Sequence, residues 1–165
     1  YGNSQGKPDE NGLYKDARAA WRHLTHERGF NQEDVILFGR SLGGAVAAEL
    51  AAENQPGGLI LESTFSSARD VASTISPILS RLIFLRYDFN TAAHVRRVAC
   101  PVLVLHSPDD EIIPFRLGEK VFQAANEPKS FVKMRGDHNS GVLMSQPDYE
   151  RALGAFVSAA NRGKI

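Results

Sequence analysis

Four short apolar runs, Val35–Phe38, Gly58–Leu61, Val102–Leu105 and Phe131–Met134, recur along the chain with longer segments of helical spacing between them. Each run is too short for a typical helix and lacks the alternation of a half-solvated strand. It therefore reads as a strand covered on both faces. Strands of that kind separated by helices form parallel sheets with helices packed on either side. The expected fold class is α/β, a three-layer α/β/α sandwich around a mostly parallel sheet.

The intervening segments fit that arrangement. Leu13, Ala17, Ala20, Trp21 and Leu24 recur at helical spacing ahead of Gly29, a C-terminal stop. Ser41–Glu53, Pro114–Ala125 and Pro147–Ala160 are further helices, the first of them rich in alanine. Ala68–Arg86 is mostly helical in spacing and broken near Pro77. Its bulky Ile75, Ile78, Leu79, Leu82, Ile83, Phe84 and Leu85 suit plain core packing. They equally suit a lid-like insertion at about 68–90 that lines an acyl pocket or touches a membrane surface. The 165 residues form a single domain, 1–165.

Lys plus Arg and Asp plus Glu number 19 each, so no net field recruits nucleic acid or anionic lipid. Cys100 is the only cysteine, which excludes an intramolecular disulfide, and just before Pro101 it reads as a small buried hydrophobe. His23 and His26 lie three apart off the apolar stripe without a third ligand, and read as a solvated face. No metal and no cofactor is expected. No apolar run approaches the roughly 20 residues that span a bilayer. The chain opens at Tyr1 without an initiating Met, inside what reads as a loop, and a truncated start is expected.

Gly39-Arg40-Ser41-Leu42-Gly43 matches the pattern G-x-S-x-G. Between a strand and a small-residue helix, it describes a sharp turn that strains the serine backbone and projects its oxygen above the sheet. Glycine at both flanks is expected to relieve crowding, and Gly44, Ala45, Ala47 and Ala48 to let the helix approach the sheet. The Leu42 amide then points to where an oxyanion would develop. A serine nucleophile needs a base, and the base an orienting carboxylate, in the chain order Ser, Asp or Glu, His. The third strand runs into His106-Ser107-Pro108-Asp109-Asp110-Glu111-Ile112-Ile113-Pro114, and the fourth into Arg135-Gly136-Asp137-His138-Asn139. Order and placement agree, with His138 as base and Asp109 or Asp110 as acid. Asp137 is a competing partner for the imidazole. His106 precedes the acid and reads as structural, His94 as surface, Glu62 as a hydrogen-bonding scaffold, and Arg40 as structural or lining the substrate mouth.

Together with Tyr1-Gly2-Asn3-Ser4-Gln5-Gly6, these segments resemble α/β-hydrolases of the serine-aminopeptidase-like and depalmitoylase-like branch. The family's acid segment, H-G-x-x-D-x-x-V/I-P, laid on His106–Pro114, puts the acid at Asp110 and Asp109 in a solvated turn. Ser107 replaces the usual glycine, and Asp137 stands where glycine is common. The resemblance implies a catalytic triad of Ser41, Asp110 and His138, with Leu42 giving half the oxyanion hole. It implies hydrolysis of a carboxylic ester, thioester or amide in a small-molecule or acyl-protein substrate. Peptide cleavage, acyl transfer to another acceptor and a non-catalytic binding domain on the same fold are the alternatives. The expected location of the full-length protein is cytoplasmic or membrane-associated.

The four strands correspond to the fifth to eighth of that fold, with the first strands missing. The loop giving the second oxyanion amide has no counterpart, which typically costs on the order of 10²–10³ in rate. Val35–Phe38 would then be an exposed edge. Expressed alone, the chain is expected to show weak or no Ser41-dependent ester turnover, which a p-nitrophenyl ester assay against the S41A variant measures.

Overall fold

The computed structural model describes residues 7–75 and 87–162. Helix α1 (Glu10–Arg22) opens on Asp9, whose carboxylate accepts the Gly12 amide at 2.7 Å, and runs on as a wide turn over His23–Glu27. Gly29, at φ +72°, ends it in the left-handed conformation open to glycine. Then follow β1 (Ile36–Arg40), α2 (Leu42–Glu53), β2 (Gly58–Glu62), α3 (Ala68–Ile75), α4 (Thr91–Val95) and β3 (Val102–His106). The rest comprises α5 (Phe115–Ala124), β4 (Lys129–Lys133), α6 (Gly141–Met144) and α7 (Asp148–Arg162).

The four strands form one parallel sheet in the order β1-β2-β3-β4. Alternate side chains go to opposite faces. Leu59, Leu61, Val102 and Val104 pack with Ala47, Ala48 and Ala51 of α2, Val95 of α4 and Val121 of α5. Ile60, Leu103 and Leu105 pack on the other face with Met134, Tyr149, Leu153 and Phe156. The apolar runs of β2 and β3 are continuous because both of their faces are core. The three-layer sandwich is as expected.

Some elements shift. The fourth strand spans Lys129–Lys133, two residues before the apolar run. On α1 the buried side chains are Tyr14 and Trp21, while Ala20 and Leu24 of the apolar stripe are exposed. Tyr14 escaped the pattern because its hydroxyl reaches Glu10 at 2.8 Å while its ring packs on Phe89. The helix expected over Ala68–Arg86 is α3 to Ile75, its Ala68 and Val71 packed on a cluster with Phe65 and Leu117. Residues 76–86 of that expectation, and the Tyr1–Gly6 segment, lie outside the described residues. Among the described residues no helix is long and apolar enough to cross a membrane.

Among the described residues β1 is an edge strand, as expected, with Phe38 48% exposed. Its turn into α2 is where glycine matters. A Cβ at Gly39 would lie 2.7 Å from Ala47 Cβ and equally close to Gly44 Cα, and one at Gly44 would collide with Thr64. Gly43 has open space around it, so the crowding expected at the second flank of the motif falls one residue later, where α2 crosses β2's exit. G39A and G44A are expected to lower unfolding free energy by about 1–3 kcal/mol each, as overpacked sites do. G43A should change it by less than about 0.5 kcal/mol, read from urea unfolding.

Candidate active site

All four strands end at one sheet edge, and in parallel sheets that edge is where loops gather polar side chains. The register pairs Arg40 with Glu62 and His106 with Lys133, so the segments that follow leave side by side. Ser41 follows β1, Asp110 follows β3, and His138 follows β4.

Ser41 sits at φ 52°, ψ −124°, a conformation that costs a non-glycine residue about 1–3 kcal/mol. Three hydrogen bonds hold it there. Its amide donates to Glu62 O at 2.9 Å, and its carbonyl accepts from Gly44 N at 3.0 Å and Thr64 Oγ1 at 2.7 Å. Leu42 is the first residue of α2, so its amide is among those with no partner inside the helix. The hydroxyl of Ser41 thus stands at the positive end of a helix dipole.

Asp110 is buried and fully engaged. Oδ1 accepts the amides of Ile112 at 3.0 Å and Ile113 at 2.7 Å, which shapes the turn from its own side chain. Oδ2 meets His138 Nδ1 at 2.8 Å and lies 3.4 Å from His106 Nε2. Asp109 is exposed, as the family pattern implied. Asp137 does not compete for the imidazole: its Oδ1 accepts the amides of Asn139 and Ser140. Those bonds, the Ser140 amide first, hold its carboxyl below the usual range. His138 is only 6% exposed, with Nδ1 committed to Asp110 and no hydrogen bond at Nε2 among the described residues. Among the described residues no hydrogen bond joins the Ser41 hydroxyl to His138. The structure brings Asp110 and His138 into contact and ties Ser41 to them through its neighbour Arg40, whose guanidinium donates to the His138 carbonyl.

The surrounding residues divide cleanly. Glu62 is the scaffold expected, 1% exposed, accepting from Tyr149 Oη at 2.6 Å and Arg40 Nε at 3.1 Å. Burial and that bond to Glu62 push the Tyr149 phenol well above its usual range. His106 is buried with Nε2 donating to Ile113 O at 2.9 Å, and Gly118 packs so closely that a Cβ there would strike the ring. His94 is half-buried, edge-on to Tyr14, so the surface reading of it fails: the apolar ring of a neighbouring helix covers it. Cys100 is half-buried and burial pushes its thiol up to about 11, which makes it a poor nucleophile. His23 is exposed and paired with Glu27 at 2.8 Å. Among the described residues no group of three His, Cys, Asp or Glu could hold a metal ion. Sequence reasoning missed the contacts Glu111 to His138 N, at 3.0 Å, and Thr64 to Ser41 O. No local pattern marks either.

No protein-family model matches the chain. An uncharacterised Mycobacterium tuberculosis protein is 37% identical over 145 residues, which is 87% of this chain and 52% of that protein. Human α/β-hydrolase domain-containing protein 17B is 33% identical over 159 residues, 96% of this chain and 53% of its own length. Among solved structures, an esterase domain from a Rhodothermus marinus protein superposes with a TM-score of 0.66 at 27% identity, covering 93% of this chain and 70% of that one. The chain belongs to the α/β-hydrolase superfamily. It spans about half the length of the curated relatives it matches.

Burial, first of all, lowers the pKa of His106 below the ordinary value of about 6.5, and Nδ1 has no partner among the described residues. Below that value the unfolded chain binds a proton that the folded ring refuses, so stability falls as pH falls. Urea unfolding between about pH 7 and pH 5 should show this decline, and H106N should flatten it relative to wild type.

Proposed function

We propose that the protein is a serine hydrolase that cleaves a carboxylic ester, thioester or amide through an acyl-enzyme on Ser41. The observation that carries this reading is the 2.8 Å pair of a buried carboxylate and an imidazole, Asp110 and His138. It lies at the same sheet edge as a serine in a strained strand-to-helix turn. The superfamily and the likeness to the esterase domain of the Rhodothermus marinus protein support it.

In the reaction, His138 Nε2 takes the Ser41 proton as Oγ attacks the carbonyl carbon. Oxygen charge in the tetrahedral intermediate faces the Leu42 amide and the α2 dipole. His138 then gives its proton to the leaving group, and the serine ester is hydrolysed by water that His138 activates in turn. Asp110 holds Nδ1–H, which selects the tautomer with a free Nε2 and stabilises the imidazolium. The Ser41–His138 hydrogen bond forms as substrate closes the site, which is common where the resting geometry is loose. The substrate is a small-molecule ester or an acylated protein, in keeping with the depalmitoylase-like segments of the sequence.

The test is fluorophosphonate labelling with a panel of esters, thioesters and peptides. S41A and H138A are expected to abolish labelling, and D110N to lower turnover by on the order of 10³–10⁴. Labelling that survives H138A, or no turnover of any panel member by the full-length protein, would leave a non-catalytic domain as the reading.

A further inference from the structure

His138 lies in a segment with little cover of its own, since Arg135, Asp137 and Asn139 around it are exposed, yet His138 itself is 6% exposed. Three charged side chains from outside that segment reach it. Asp110 takes ring Nδ1, Glu111 Oε2 accepts its main-chain N–H at 3.0 Å, and Arg40 Nη2 donates to its main-chain carbonyl. Arg40 Nη2 also reaches Asn139 Oδ1 at 3.3 Å.

An exposed arginine usually contributes little, because solvent screens it and holding it costs side-chain entropy. Arg40 is anchored differently. Its Nε donates at 3.1 Å to Glu62, a carboxylate 1% exposed whose other oxygen is occupied by Tyr149. A buried carboxylate fixes one edge of the rigid guanidinium fork, and the fixed fork presents its other nitrogen to the His138 carbonyl. The residue lies inside the G-x-S-x-G turn, so one side chain joins the Ser41 turn to the His138 loop.

We infer that Arg40, braced by Glu62, and Glu111 are positioning residues that hold the His138 backbone at its carbonyl and its N–H and so fix the imidazole relative to the Ser41 turn. The inference deepens the hydrolase reading and rests on it for its kinetic consequence alone. Neither residue touches the reacting atoms. A lysine at position 40 would reach either Glu62 or the His138 carbonyl, not both in fixed geometry.

The experiment compares R40Q, R40K and E111A in the full-length protein by ester kinetics, thermal melting and the low-field proton resonance of His138 Nδ1–H. R40Q is expected to lower kcat about 10²-fold, the scale of a displaced catalytic group, with KM changed less than about threefold. R40K should recover part of kcat, E111A should lose about 10-fold, and the resonance should broaden in R40Q and E111A. An unchanged kcat and resonance, a loss confined to KM, or a lowered melting temperature with kcat per folded molecule intact would each overturn the inference. If wild type shows no Ser41-dependent turnover, the hydrolase reading fails, and the resonance alone decides whether Arg40 and Glu111 hold His138.

Discussion

The close approach of α2 to the ends of β1 and β2 is the constraint on which the rest depends. With Gly39 and Gly44 lacking side chains, the helix starts within contact of Thr64, and that residue's hydroxyl then clamps the Ser41 carbonyl. The strained φ of 52° at Ser41 persists because its amide and carbonyl are both bonded to neighbours that cannot move away. Small residues down the inner face of α2, Ala47, Ala48 and Ala51, extend the same closeness along the sheet.

Above that turn the site is built from side chains that shape their own loops. Asp110 accepts two amides from the turn it begins, and Asp137 does the same for the turn that carries His138. Each carboxylate organises backbone through its Oδ1, and it is Asp110 whose second oxygen meets the imidazole. Two aspartates of one sequence type are thereby separated by geometry rather than by chemistry.

The sequence made the strands of the core legible because both faces of β2 and β3 are buried, so the apolar runs carry no interruption. It made the Ser41 turn legible because its requirements are local. The order of loops along a parallel sheet pointed to His138 and to Asp109 or Asp110, and the resemblance to the family's acid segment chose Asp110, the one that meets His138. What it hid depends on contacts across many residues: Glu111 reaching His138, Tyr149 reaching Glu62, and Thr64 reaching the Ser41 carbonyl. His94 was misread for the same reason, since the ring that covers it comes from α1. The fourth strand was displaced because β4 is less covered, and its Lys129 and Lys133 break the apolar run that marks a strand.

The bond between Tyr149 and Glu62 has a consequence for assembly. Helix α7 offers no group to the chemistry, yet its Tyr149 saturates the carboxylate that steadies Arg40. In a chain emerging from its N-terminal end, the Ser41 turn can form long before α7 exists. Until α7 docks, one oxygen of Glu62 lacks the donor that it has in the finished fold. The setting of Arg40 is therefore tied to the arrival of α7, and a nascent or clipped chain lacking that helix would hold the Ser41 turn with Glu62 short of one of its two donors.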